Sequence, residues 1–511
     1  MNVGYLVSRS SRYFPNRTAV VIDGREMNYY ELNCRVNKLS NALLSLGLKK
    51  GDRVGLLFHN SYSYLESYLA LYKAGLVWVR LNARLTASEL KRMVEDSGAI
   101  ALIHGSEFVE TAEELSKGLR WVIKDGEGPG IDYEDFLEKG VEKEPDVEVT
   151  LDDLSDLWYT SGTTGEPKGI MLTHRNILTC TQFLLSDIYD INQDDRFLTP
   201  GALSHAGSVR ILPFIIRGAA CYLHSHFDPQ LLFREIEESK ITDLAVVPTM
   251  LINLMDHSER PQFDLSSLKR ITYAGSPLAL ERIKEALGLF GSILDQSYGQ
   301  AESIITITHL SRQEHIIQDD PVREKRLSSA GREYPGVQVR IVDDEDNFLE
   351  PHRIGEVVTR SDLVMRGYWN QPEKTKEELR GGWLHTGDIG YLDEDGYLFL
   401  VDRKNDKIIT GGLNVYPREV EEIISTHRAV AQVAVFGAKD PFWGEAVTAT
   451  VVRRKEMSLT EEELLAFCKE HLSGYKRPKK IFFLDDLPKN LYGKVLRKDL
   501  KKHFEGKLQR D

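Results

Sequence analysis

The sequence predicts an α/β protein: a large N-terminal domain of layered α/β subdomains with a small β-subdomain, then a smaller C-terminal α+β domain. Three observations carry that prediction. Short apolar runs alternate with amphipathic helical stretches through most of the chain, as in layers of helices on parallel strands. After about Ala330 the texture changes to short strands joined by Asp, Asn and Gly. Beyond the polar, glycine-paired segment "DRKNDKIITGG" (Asp402–Gly412) an α/β pattern starts afresh.

The elements follow in order. "AVVID", "RVGLLF", "IALIH" and "DLAVVP" are apolar runs bounded by polar residues, as buried parallel strands should be. In "SYSYLESYLALYKAG", Leu65, Tyr68, Leu69 and Tyr72 fall at helical spacing on one face, with Asn60 or Ser61 as cap and Gly75 as stop. "VRIVDDEDNFLEP", "GEVVTR" and "GYLDEDGYLFLVDR" read as strands of the β-subdomain, with Asp395-Gly396 as a hairpin signal. In "PREVEEIISTH", Pro417 suits a first helical turn and Val420, Ile423 and Ile424 share a face. "VAQVAVFG" and "AVTATVVRR" are strands. The expected domains are 1–401 and 407–511, joined through 402–406.

Composition narrows the function. A chain of 511 residues exceeds one compact core. Its net charge of −13 argues against nucleic acid or an anionic membrane as the main partner. Cys34, Cys180, Cys221 and Cys468 stand far apart without a CxxC pair, which points to buried thiols in a reducing compartment. No apolar signal region is visible at the N-terminus, and "ILPFIIRGAACYL" is interrupted by Arg217 and too short to span a bilayer. The expectation is a cytoplasmic protein with no integral membrane segment.

"YTSGTTGEPKG" (Tyr159–Gly169) fits three readings. It would be a surface turn between strands, the usual fate of such clusters. A Walker-type loop fails on spacing, because Lys168 is followed by Gly169. A different phosphate cradle uses the same residues differently. Glycines let backbone N–H groups converge, hydroxyls donate to phosphate oxygens, and one lysine supplies charge. The hydroxyls and the single cation favour the cradle over the turn.

This stretch resembles the signature of the AMP-forming adenylating superfamily, which includes acyl-CoA synthetases, adenylation domains and luciferases. The resemblance continues in order through "SYGQAES" (Ser297–Ser303), "GWLHTGDIGYLDEDGY" (Gly382–Tyr397), "DRKNDKIITGGLNVYPREVE" (Asp402–Glu421) and "PKNLYGKVLRKDL" (Pro488–Leu500). It implies ATP, Mg²⁺ and coenzyme A as reactants. A carboxylate attacks the α-phosphorus, releasing pyrophosphate, and a thiol then displaces AMP.

By this resemblance, Ser161, Gly162, Thr163, Thr164, Gly165 and Lys168 hold the β- and γ-phosphates. Glu302 is the magnesium carboxylate, with Thr163 beside it. Tyr298 covers one face of adenine; Gly275, Ser276 and Pro277 form the other wall, and Gly299, Gln300 and Ala301 complete the nucleotide loop. Asp388 accepts from the ribose hydroxyls and Arg403 donates to the same sugar. Lys494 bridges the substrate carboxylate and the α-phosphate. Gly411, Gly412 and Leu413 line the pantetheine tunnel after the mobile C-terminal domain pivots at Asn405. Two residues depart from the family pattern: Ala301, where many relatives have threonine, and Asn405, where many have Asp or Lys.

The acyl pocket is expected near His205, Gly207, Tyr273 and Ala274. His205 reads equally as a residue at the pocket mouth or as a core histidine. Arg210 reads as a ligand for a second carboxylate or carbonyl, or more simply as an outward-facing arginine. Ala206, Gly207 and Ser208 imply room. The expected function is an AMP-forming acyl-CoA ligase acting on a small-molecule carboxylic acid, with a homodimer allowed. The rival readings are an adenylation enzyme loading a carrier protein and a nucleotide-binding scaffold without chemistry.

Overall fold

Four sheets account for the strands of the computed structural model, which describes residues 2–161, 167–317, 320–404, 406–440, 442–454, 457–489 and 495–504. The first sheet has nine strands. Its parallel centre runs Leu294–Tyr298, Arg270–Ala274, Asp243–Val246, Arg196–Thr199, Ala220–Leu223 and Thr18–Ile22. The second, of eight strands, is parallel from Leu154–Ser161 through Val77–Arg80, Arg53–Leu57, Ala101–Gly105 and Trp121–Asp125. The four apolar runs singled out in the sequence are therefore interior strands, three parallel to both neighbours and "AVVID" parallel to Ala220–Leu223 but antiparallel to Arg25–Asn28.

One continuous apolar cluster draws on both sheets and on the helices Tyr29–Ser45, Tyr62–Ala74 and His174–Phe183. The helix Tyr62–Ala74 is capped by Ser61, whose hydroxyl accepts from the Tyr64 N–H, and stops at Gly75 in the left-handed region. The one-sided face expected of it is not what the fold uses, because every residue from Ser63 to Ala74 is buried. Its two charged residues are paired inside the fold. Glu66 pairs with Arg35 at 2.6 Å and accepts from the Tyr133 hydroxyl, while Lys73 pairs with Glu144 at 3.0 Å. A helix packed on all sides tolerates such groups only when each has a partner.

The β-subdomain is the antiparallel sheet Gln338–Val342, Gly355–Arg360, Leu384–Leu392, Leu398–Arg403. Its last hairpin turns where Asp395-Gly396 signalled. The Asp393 carboxylate accepts from the Asp395 and Tyr397 N–H groups and closes a longer loop than a two-residue turn.

The fourth sheet combines Leu413–Val415, Ile408–Thr410, Gly444–Arg453, Val430–Asp440 and Lys480–Phe483, with its own core around Val420, Ile424, Val435 and Val447. The helix Pro417–Ser425 has Pro417 in its first turn and buries Val420 and Ile424. At the junction with the preceding sheet, Arg497 pairs with Asp406 at 3.1 Å and with Glu421 at 2.8 Å, and stands 3.8 Å from Asp402. All four cysteines are free thiols. Among the described residues no helix is long and apolar enough to cross a membrane.

Candidate active site

The carboxyl ends of parallel strands are where an open α/β sheet binds ligands, and the predicted motifs issue from those ends. Arg270–Ala274 leads into Gly275–Pro277, and its neighbour Leu294–Tyr298 leads into Gly299–Glu302; Ala274 and Ser297 are paired in register. In the second sheet, Leu154–Ser161 leads into the glycine- and threonine-rich turn and returns as Pro167–Thr173, with Ser161 opposite Pro167. Gly162, Thr163, Thr164, Gly165, Asn405 and Lys494, and the side chain of Ser161, lie outside the described residues.

The turn after Tyr298 is tight and strained. A Cβ on Gly299 would collide with the Ile305 carbonyl group, so only glycine fits there. A short 3₁₀ turn carries Ala301–Ser303, held by Gln300 and Ser303 as a reciprocal cap. Ile304 and Ile305 then take φ of 42° and 58°. Two successive β-branched residues at positive φ are a costly conformation that concentrates at functional sites.

That turn presents Glu302. Its backbone carbonyl accepts from the Met365 N–H at 2.8 Å and its Oε1 accepts from the Tyr368 hydroxyl at 3.0 Å. The short strand Gly367–Tyr368 pairs with Pro167–Thr173, the strand carrying Lys168. Lys168 Nζ and Lys374 Nζ lie 5.7 Å and 5.9 Å from the Tyr368 ring centre. Desolvation, then the neighbouring Lys374 ammonium, pushes the Lys168 ammonium down to about 8, against the pull of Glu378 and Glu302. Two cations and a carboxylate thus converge on one aromatic ring.

On the other side of Tyr298 stands a second constellation. The Tyr298 hydroxyl donates to Asp388 Oδ2 at 2.6 Å, and Arg403 Nε forms an ion pair with Asp388 Oδ1 at 2.6 Å. Asp388 and Arg403 are cross-strand partners. Burial and the Asp388 charge hold the Tyr298 phenol far above its ordinary value, so it stays a donor. Gly411 and Gly412 form the turn between Ile408–Thr410 and Leu413–Val415, at φ of 56° and 79°, against the Trp443 ring; Leu413 is half exposed beside them.

The acid-side residues divide. Ala274 is half-buried at its strand's end. Tyr273 is not a pocket residue. It points to the opposite face of the sheet, fully buried, with its hydroxyl at 3.1 Å from His315 Nε2 and 3.2 Å from Gln296. Successive side chains on a strand alternate faces, so Tyr273 and Ala274 cannot both line the crevice.

His205 sits in the turn Leu203–Gly207, edge-on to Trp158 and 2.8 Å from the Ser204 hydroxyl. Desolvation and the charges of Arg80 and Arg84 push its imidazole down to about 3, so it is neutral at physiological pH. Gly207 marks close packing, not room, since a Cβ there would press on the Gly201 and Ala202 carbonyl oxygens. Arg210 is not outward-facing but buried.

Sequence reasoning did not single out Tyr368 or Lys374. The stretch "GYWNQPEKT" reads as a polar turn before a helix, and the pairing of Gly367–Tyr368 with the lysine-bearing strand brings it beside Lys168.

Residues 7–369 match the AMP-binding enzyme family and residues 419–494 match the AMP-binding enzyme C-terminal domain. The chain belongs to the AMP-binding enzyme family. A feruloyl-CoA synthase of an Amycolatopsis species is 37% identical over 97% of this chain and 98% of its own. A medium/long-chain fatty-acid–CoA ligase of Mycobacterium tuberculosis is 34% identical over 98% of this chain and 90% of its own. Among solved structures, the anthranilate CoA ligase AuaEII in complex with anthranoyl-AMP superposes with a TM-score of 0.91 at 27% identity, covering 100% of this chain and 98% of that one. The adenylating fold expected from the ordered motifs is thus the fold observed.

Proposed function

We propose that this AMP-forming acyl-CoA ligase carries out adenylation between the Glu302–Tyr368–Lys168 cluster and the Asp388–Arg403–Tyr298 cluster. The observation that carries the assignment is that both flank a single strained turn, Tyr298–Ile305, so one nucleotide spans them. The chain activates a carboxylic acid with ATP to an acyl-adenylate and pyrophosphate, and then transfers the acyl group to coenzyme A.

Each cluster has a defined task. Asp388 has two oxygens already oriented by Arg403 and Tyr298, which suits it to accept from a ribose diol. Lys168 and Lys374 supply positive charge to the pyrophosphate leaving group, and Gly275–Pro277 with Tyr298 frame the base. Among the described residues the Glu302 carboxylate has one hydrogen-bond partner, leaving Oε2 for a cation. Among the described residues no group of three ligating side chains occurs. That donor set fits Mg²⁺, which keeps water and phosphate oxygens and needs only one or two protein carboxylates. When bound, Mg²⁺ would neutralise phosphate charge there.

Neutral His205 beside Trp158 lines the way to the acid without competing for its charge. Lys494 stabilises the charge developing between carboxylate and α-phosphorus, as a preorganised cation does. Residues 407–511 swing about Asn405 to bring Gly411–Leu413 to the thioester step.

Product analysis with a carboxylic-acid panel tests this reading. Acyl-CoA and AMP are expected from ATP, acid and coenzyme A. Pyrophosphate exchange without acyl-CoA would favour a carrier-loading enzyme, and no exchange with any acid would favour a scaffold.

A further inference from the structure

Among the described residues, buried guanidinium groups carry carboxylates, with one exception on the acid side. Arg80 is sealed between Trp78 and Trp158 and holds Asp156 at 2.7 Å, with Ser208 at 2.9 Å. Arg270 holds Asp243 at 2.7 Å and Asp295 at 2.9 Å. Arg210 is 5% exposed, yet its one polar contact among the described residues is Nη1 to the neutral Tyr189 hydroxyl at 3.3 Å. Among the described residues Nε and Nη2 have no hydrogen-bond partner, and neither is completely sealed. A buried cation without a counter-charge is costly unless something supplies the acceptor.

The position of Arg210 says what would supply it. Ser208 faces Arg80, and two residues on, about 200° round a helix, Arg210 faces the other way. Its charge reaches Cys180 and Tyr334. The Tyr334 hydroxyl lies 2.9 Å from Ser297 Oγ, one residue before Tyr298. The Cys180 thiol donates to the Ile304 carbonyl, two residues after Glu302. Arg210 therefore lies on the side of the fold where Cys180 and Tyr334 hold the turn that carries Glu302.

We infer that Arg210 is the specificity residue for the end of the acid remote from its reacting carboxylate. The substrate class is acids bearing a distal oxygen acceptor: a carbonyl, phenolic or second carboxylate oxygen. This rests on the ligase reading. A guanidinium left bare by a plain acid discriminates far more sharply than a missing methylene would.

The test is pyrophosphate exchange by the full chain with three matched pairs: hexanoate and adipate, heptanoate and 6-oxoheptanoate, cinnamate and 4-hydroxycinnamate. The pair that responds identifies the acceptor. At least one acceptor-bearing acid should exceed its plain partner about ten-fold or more in kcat/KM, as expected for a charge-assisted hydrogen bond. Arg210→Leu should erase that ratio while the plain acid still exchanges. Arg210→Lys, which keeps the charge but loses the fork, should retain part of it. Equal or better use of the plain acids by the wild type would overturn the inference, as would a preference that survives Arg210→Leu. Should Arg210→Leu fail to fold, Arg210→Lys decides, an unchanged ratio counting against the inference. Exchange without preference removes the inference alone; no exchange with any acid removes the ligase reading with it.

Discussion

On the proposed sugar side of the crevice Asp388 already holds both Arg403 and the Tyr298 hydroxyl, whereas on the proposed acid side Arg210 holds, among the described residues, only the Tyr189 hydroxyl. The two regions solve opposite problems. In the proposed assignment the sugar side receives the same ligand part at every turnover, so its donors and acceptors set in place beforehand would leave little reorganisation on binding. The acid side leaves a cation uncommitted and lets the substrate complete it, which turns a local energetic cost into selectivity. Lys168 and Lys374 repel one another, a strain that a bound polyphosphate would relieve.

Breaking each part should cost different amounts. The largest loss is expected from Lys494→Ala. Removing one preorganised charge should lower acid-dependent pyrophosphate exchange about 10²–10³-fold, while thioester formation from synthetic acyl-adenylate stays largely intact. Equal loss in both half-reactions would refute their division between two lobes.

Glu302→Gln comes next, at about 100-fold in exchange, a loss of the size seen on removing one electrostatic partner of the transition state. The amide can still accept from Tyr368, so the thermal midpoint should hardly move; a large fall would mean that Glu302 is structural.

Asp388→Asn sharpens the comparison itself. Arg403 and Tyr298 would lose their anionic acceptor, and the KM for ATP should rise roughly ten-fold, as for a charge-assisted bond, with a smaller change in kcat. A rise in the KM for the acid instead would reassign Asp388 to the other side.

The smallest effect is in pH dependence. Lys168 is held down to about 8, and in the proposed role it would bind phosphate as an ammonium. ATP affinity should be flat below pH 8 and fall as the pH rises through it, because the free site is then losing the proton that the complex needs. In Lys374→Met the like charge is gone, so the break should move to higher pH. A break that stays put would show that burial alone sets Lys168.

Much of this was legible in the sequence, for reasons particular to each element. The apolar runs "RVGLLF" and "IALIH" are buried on both faces as parallel strands, and runs of that kind stand out by composition alone. The same property hid Tyr273. A strand buried on both sides gives no alternation to show which face meets the ligand. The helix Tyr62–Ala74 read as one-sided because Glu66 and Lys73 look solvated until Arg35 and Glu144 are seen to cover them. Arg210 read as exposed because arginine usually is, and nothing local marks a missing carboxylate. Tyr368 and Lys374 reach the site through a strand pairing formed across nearly two hundred residues of chain, which no local pattern encodes.

The central claim is that the clusters around Glu302 and Asp388 grip one nucleotide across the Tyr298–Ile305 turn. A crystal structure with Mg²⁺ and a non-hydrolysable ATP analogue tests it most directly. The account predicts ribose hydroxyls on Asp388, the base between Tyr298 and Gly275–Pro277, and phosphates beside Lys168 and Lys374 with the cation on Glu302. Density for the nucleotide elsewhere, such as the open cleft of about 530 Å³ lined by His309, Glu314 and Arg332, would contradict it.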